Sequence, residues 1–204
     1  MGKVFIFDVA KCSGCRNCQI ACKDEHVDND WSPYAKPQPD TGQFWTRIEE
    51  KVRGQVPKVK LTYLMHLCQH CDDAPCMKAA KDGAVYRRDD GLVIIDPAKA
   101  KDQRAIMEAC PYGVVYWNEA LSIPQKCTGC AHLLDNGWSV PRCVDACAHE
   151  AILWGGAVSD SAEDIARKTD TISYEVLCGV ARRVPRVYLE HGEIMAVEDW
   201  ILNN

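Results

Sequence analysis

Four cysteines crowd into the eleven residues from Cys12 to Cys22, in the spacing Cys12-x2-Cys15-x2-Cys18-x3-Cys22. No other feature constrains the fold as much. The remaining cysteines also cluster: Cys68, Cys71 and Cys76, then Cys110, then Cys127, Cys130, Cys143 and Cys147, with Cys178 apart. The total is thirteen in 204 residues, an odd number. The opening MGKVFIFDVAKC has no charged n-region followed by a long apolar stretch, so no secretory signal is expected. Thirteen cysteines in a protein expected to stay in the cytoplasm argue against a disulfide framework. Tight C-x2-C spacings in a reducing compartment point to metal or redox chemistry.

The first run is the one that bacterial ferredoxins use for [4Fe–4S] cubanes. Three thiolates on a tight loop grip one cluster, and the fourth, further along a helix, ligates a different one. Such a run needs a complement, and Cys127, Cys130, Cys143 and Cys147 supply it, again ending in an x3 spacing. Cross-ligation then puts one cluster on Cys12, Cys15, Cys18 and Cys147, and a second on Cys22, Cys127, Cys130 and Cys143.

The middle groups form a second, incomplete pair. Cys68-x2-Cys71-x4-Cys76 carries Ala80 where an x3 cysteine would stand. Counting back from Cys110-Pro111, the partner positions fall on Ile106, Gln103 and Ala100, none of which ligates iron. Under cross-ligation, Ala80, Ala100, Gln103 and Ile106 belong to one cluster and Cys68, Cys71, Cys76 and Cys110 to another. One whole cluster is missing and its neighbour is complete, so twelve cysteines are expected to hold three [4Fe–4S] clusters. Side chains must fill the vacated volume, because interiors tolerate few voids.

The competing metal reading is a structural zinc scaffold, with Cys68/Cys71 and Cys127/Cys130 as paired knuckles. Four thiolates within eleven residues are dense for tetrahedral zinc and natural for cubanes. Every cluster already has four cysteines, so His66, His70, His132 and His149 are expected to surround the ligands rather than join them. Lys11, Arg16, Lys126 and Arg142 flank the ligands and are either solvated or tune the clusters. Cys178 is expected to be a free thiol.

Between the cysteines the elements are short. Strands are expected at Val4–Asp8, Phe44–Val52, Val59–Leu64, Val114–Trp117 and Ile152–Trp154. A hairpin is expected at Ala84–Arg87 and Leu92–Ile95 around Asp89-Asp90-Gly91. Helices are expected over Asn17–Val27, over Ser159–Lys168, and from the Asp96-Pro97 start signal to Ala109, with an apolar stripe of Ala98, Ala105, Ile106 and Ala109. Trp31 to Gln43 reads as a loop. The fold class is α+β: two bacterial-ferredoxin-like, βαβ-type cluster-binding modules with loop insertions and a short C-terminal tail. Residues 1–62 plus 111–155 would form the module with two clusters. Residues 63–110 would be an inserted module with one, and 156–204 a tail packing on a partner or on the core.

No nucleophile elbow, P-loop, dinucleotide fingerprint or HExxH stands in the sequence, so no catalytic site of its own is expected. The net charge is −5 and no basic run exceeds two residues, which excludes nucleic acid as a partner. No window is apolar enough for a membrane span. Four-cysteine clusters have no open iron position, so the role is electron relay, in a partnered subunit or in a stand-alone polyferredoxin.

The segments DVAKCSGCRNCQIACKDEH, CQHCDDAPC, GAVYRRDDGLVIIDPAKAK, ACPYGVVYWNEA and QKCTGCAHLLDNGW carry a resemblance over about residues 3–155, and PRVYLEHGE a weaker one. They resemble the iron–sulfur subunits of the dimethyl sulfoxide reductase family of molybdenum and tungsten enzymes. Within it they are most similar to the branch serving hydroxyl transfer between phenols, of the pyrogallol-to-phloroglucinol type, whose small subunit also lacks one cluster. The resemblance implies a large catalytic partner, in a heterodimer or a higher multiple, carrying molybdenum or tungsten on bis-molybdopterin guanine dinucleotide. Polyhydroxylated aromatics would be the substrates. Reductive dehydroxylation of a catechol is the alternative, and export with a signal-bearing partner stays open.

Overall fold

A computed structural model describes residues 3–9, 11–156, 186–190 and 193–196. Strand β1 (Lys3–Asp8) carries four consecutive apolar residues, and Phe5, Ile6 and Phe7 are all almost completely buried. A strand apolar on both faces belongs in the middle of a sheet. β1 pairs antiparallel with β8 (Ile152–Gly156), setting Phe5 against Trp154 with ring centroids 4.6 Å apart. On its other edge it pairs parallel with β9 (Arg186–Glu190), which pairs antiparallel with β10 (Glu193–Ala196). The segment read as a tail therefore contributes two strands to the sheet. The helix expected at Ser159–Lys168 and the free thiol of Cys178 lie outside the described residues.

Three hairpins complete the β structure. β2 (Arg47–Gln55) and β3 (Lys58–His66) pair antiparallel through nine residues each. Their inner ends enter the core through Ile48, Leu64 and Met65, and their outer ends expose Val52, Val59 and Leu61. β4 (Val85–Arg87) and β5 (Val93–Ile95) flank the turn at Asp90-Gly91, where Asp90 Oδ1 accepts from the Leu92 N–H at 3.1 Å. β6 (Tyr116–Asn118) pairs with β7 (Ile123–Gln125) and starts two residues later than the expected Val114–Trp117. Val114 and Val115 are instead buried just before it.

The helices are short: α1 (Asn17–His26), α2 (Pro75–Ala79), α3 (Ala105–Glu108), α4 (Ala131–Asp135) and α5 (Arg142–Asp145). α1 packs on α5 and α2 on α3, so the first cysteine group lies beside the fourth and the second beside Cys110. Two buried clusters hold the fold together. The larger gathers Phe5, Phe7, Trp45, Leu64, Leu92 and Trp154. The smaller gathers Val85, Val93, Ile95, Ala100, Ile106 and Val115.

The single helix expected from Asp96 to Ala109 does not form. Its start signal works: Asp96 Oδ1 accepts from the Ala98 N–H at 2.9 Å and the Lys99 N–H at 3.3 Å. Asp102 then adopts a left-handed conformation (φ 61°) and gives its N–H to Ser122 O at 2.8 Å, which takes the backbone out of the helix. Only Ala105–Glu108 is helical. The expected apolar stripe is not a buried face, since Ala98 and Ala105 are exposed, while Ala100 and Ile106 are fully buried.

Candidate metal centres

Three of the four C-x2-C spacings share one local geometry. In Cys12–Cys15, Cys68–Cys71 and Cys127–Cys130 the third residue is left-handed: Gly14 (φ 72°), His70 (φ 49°) and Gly129 (φ 64°). That turn points the third residue's N–H at the first sulfur. The His70 N–H reaches Cys68 Sγ at 3.4 Å, and the Gly129 N–H reaches Cys127 Sγ at 3.3 Å. Burial raises the Cys12 thiol, against a hydrogen bond from the Gly14 N–H. Backbone N–H groups converging on a concavity favour an anion there. Glycine is needed at two of the positions for space as well as for φ. A Cβ on Gly14 would lie 2.3 Å from Tyr63 Cε1, and one on Gly129 2.6 Å from Leu92 Cδ2. After each run a helix carries the next cysteine: Cys18 and Cys22 on α1, Cys76 on α2, Cys143 on α5.

None of the twelve described cysteines is in a disulfide. One cavity is lined by Cys68, Cys71, Cys76 and Cys110. Another is lined by Cys12, Cys15, Cys18 and Cys147. Cys22, Cys127, Cys130 and Cys143 are buried to 5% exposure or less and interact with one another. The first two quartets face their members across open space. Among the described residues no three His, Cys, Asp or Glu side chains are arranged to hold a single metal ion.

Burial and mutual proximity make several of these thiols poor acids. Burial first, then Cys147 and Cys12, push Cys18 up to about 12. Burial, then Cys68, Cys76 and Cys110, push Cys71 up to about 12. Burial, then Cys22 and Cys68, do the same for Cys127. Cys130 and Cys143 rise well above the ordinary thiol value, burial again leading. Burial raises Cys22 to about 11 against hydrogen bonds from Thr46, whose buried hydroxyl meets no nitrogen or oxygen partner. Crowded thiols of this kind need a strongly cationic centre to become thiolates, which is what an iron–sulfur cluster supplies. The donor set fits such a group.

The cysteine-free positions also converge. Ala100 and Ile106 sit in the smaller core, with Ala80 packed against it. Gln103 joins the loop beyond Ala80, its Oε1 accepting from the Lys81 N–H at 2.8 Å and its Nε2 donating to Lys99 O at 2.8 Å. Ala100-Lys101-Asp102-Gln103 has a left-handed third residue, as the three cysteine loops do. The filling is aliphatic and amide.

Sequence reasoning did not single out Thr46, Glu25 or His26. His26 is buried between Trp45 and His132, and its Nδ1–H donates to Cys22 O at 2.8 Å. Burial holds His26 and His132 down at about 4, so both rings are neutral at pH 7, and burial raises Glu25. His132 Nε2 meets Glu25 Oε1 at 3.1 Å and stacks on Trp31. No local pattern marks these residues, because their partners are distant in sequence. Of the flanking histidines, His70 and His149 line the two cavities. His70 Nδ1 accepts from the Val93 N–H at 2.9 Å, and His149 Nε2 meets Ser13 Oγ at 2.7 Å. His66 pairs with Glu49. Lys11 is exposed beside Asp8, Arg16 lines the second cavity, and Arg142 lies between Asp145 and Glu25. Lys126 is buried.

The family model for a 4Fe-4S dicluster domain matches residues 59–156. The pyrogallol hydroxytransferase small subunit of Pelobacter acidigallici is 41% identical, over 91% of this protein and 67% of that one. The arsenate respiratory reductase iron–sulfur subunit of Shewanella sp. strain ANA-3 is 30% identical, over 74% of this protein and 80% of its own length. This protein belongs to the iron–sulfur subunits of the dimethyl sulfoxide reductase family. The putative dimethyl sulfoxide reductase iron–sulfur subunit of Halobacterium salinarum is 28% identical, over 96% and 81%. A second model, for the C-terminal domain of alanine racemase, matches residues 139–188. It overlaps the first model across Cys143 and Cys147, and the rest of it falls largely outside the described residues. As a family member the protein is an electron-transfer subunit binding 4Fe–4S clusters, and catalysis belongs to another subunit of the complex. Among the described residues no helix is long and apolar enough to cross a membrane.

Proposed function

We propose that this subunit binds three [4Fe–4S] clusters and relays electrons for a large catalytic subunit carrying bis-molybdopterin guanine dinucleotide, acting on polyhydroxylated aromatics. The ligands would be Cys12, Cys15, Cys18 and Cys147; Cys22, Cys127, Cys130 and Cys143; and Cys68, Cys71, Cys76 and Cys110. The carrying observation is that each quartet draws thiols from distant parts of the sequence close enough to influence one another, two of the quartets around a cavity, beside loops of one shared geometry. The fourth loop keeps that geometry but has Ala100, Gln103 and Ile106 in place of ligands, which supports a count of three.

The clusters would supply one-electron redox chemistry. The protein's own residues insulate them and set their order. Cys18 lies near Cys143, and Cys68 near Cys127, so the fully buried quartet stands between the other two. Cys15 is exposed, which opens one end of the relay to a donor or acceptor. The packing of α1 on α5 and of α2 on α3 supports two ferredoxin-like modules, 1–62 plus 111–155 and the inserted 63–110.

The identity to a pyrogallol hydroxytransferase small subunit favours hydroxyl transfer between phenols. The exposed Cys15 favours a second reading, reductive dehydroxylation of a catechol. Hydroxyl transfer has no net electron demand, whereas reduction needs an entry point. The complex purified anaerobically should contain about twelve iron and twelve sulfide per copy of this subunit. A content near eight or sixteen overturns the count. Cys22→Ala should remove the cluster of Cys127, Cys130 and Cys143 and spare that of Cys12. Loss of the Cys12 cluster's EPR signal instead would refute the pairing. Assay with pyrogallol alone, and with a catechol plus reductant, separates the two substrates.

A further inference from the structure

Lys126 is 3% exposed, and among the described residues no carboxylate pairs with it. Its ammonium donates to Val93 O, on β5, and to Cys127 O at 3.1 Å. It lines the cavity of Cys68, Cys71, Cys76 and Cys110 while adjoining Cys127, a member of the buried quartet, in sequence. A buried ammonium satisfied only by carbonyl dipoles is costly unless a negative charge stands nearby. The two thiol quartets are what face it. Its side chain lines the Cys68 quartet's cavity beside Cys76, whereas it reaches the buried quartet through the Cys127 carbonyl.

We infer that Lys126 is a buried counter-ion shared by two of the clusters, and that it raises the reduction potential of the one held by Cys68, Cys71, Cys76 and Cys110. The inference rests on the proposed ligand sets. A positive charge favours the reduced, more negative state of a cluster, and low-dielectric surroundings screen it little. The effect should therefore be graded. It should be largest on the Cys68 quartet, smaller on the buried quartet, and absent at the Cys12 quartet, which serves as an internal control.

The test is an EPR-monitored redox titration of the intact complex, with iron analysis, for wild type, K126Q, K126M and K126R. In the neutral variants the reduced-to-oxidised ratio of the Cys68 quartet's cluster, at fixed ambient potential, should fall about tenfold, a downward shift of about 59 mV for one electron. K126R should restore it. An unchanged potential in a neutral variant with full iron content overturns the inference, and so does an equal shift in all three clusters. If the neutral variants lose the cluster's iron and K126R keeps it, the charge is needed to hold the quartet and the inference stands. If K126R loses the iron too, shape rather than charge is at work and the inference falls. A wild-type iron content near eight or sixteen would instead refute the three-cluster reading, whatever Lys126 does.

Discussion

Gly129→Ala tests whether the cysteine loops are built as described. Gly129 is left-handed, with φ 64°. An L-residue there costs about 1–2 kcal/mol. The new methyl would lie 2.6 Å and 3.0 Å from the two Leu92 methyls, and Leu92 is fully buried. Overpacking of that kind costs about 1–3 kcal/mol. Lower unfolded-state entropy returns about 0.4–1 kcal/mol. The net destabilisation is about 2–4 kcal/mol, a large part of the roughly 5–15 kcal/mol that holds a domain together. For a protein of this size each kcal/mol lowers Tm by about 2–4 °C, so a drop of roughly 4–16 °C is expected. The assay is thermal loss of cluster absorbance in the anaerobic complex, at one scan rate, with EPR to identify the cluster lost first. That cluster should be the one of Cys22, Cys127, Cys130 and Cys143. Leu92→Ala in the same molecule should recover the steric part and leave the backbone part, so the two substitutions should couple by about 1–3 kcal/mol. A Tm within a degree or two of wild type, or fully additive costs, would refute the reasoning.

Gly14→Ala should act in the same way on the exposed quartet, because its Cβ meets the Tyr63 ring; Tyr63→Ala should relieve the clash, read as recovered iron. Ile106→Ala should destabilise the complex by about 2–5 kcal/mol without changing iron content, since Ile106 is buried packing rather than a ligand; denaturant unfolding and iron assay check both parts. Replacing Ala80, Ala100, Gln103 and Ile106 together with cysteine should raise iron from about twelve toward about sixteen per subunit, because the Ala100–Gln103 loop already has the turn of its cysteine-bearing counterparts. Iron unchanged in a folded quadruple variant would mean that the aliphatic filling has closed the space.

Much of the site was legible because cluster chemistry writes itself into local spacing. C-x2-C-x2-C-x3-C is a statement about one loop and one helix, and the cross-ligation rule turns such statements into long-range groupings. The sequence by itself therefore determined the proposed grouping of thiols, which positions lack them, and where the hairpin at Asp90-Gly91 turns. It did not determine what the backbone does where ligands are absent. Asp96-Pro97 signals a helix start, and local propensity then continues the helix to Ala109. The tertiary structure decided otherwise, because the Asp102 N–H finds Ser122 O and Ile106 must reach the core between α2 and α3. The same holds for Lys126, His26 and Glu25, whose surroundings come from residues distant in the sequence. It holds too for β9 and β10, which gain their place from the free edge of β1. Covalent spacing can fix which side chains may share a cluster; only packing fixes what surrounds it.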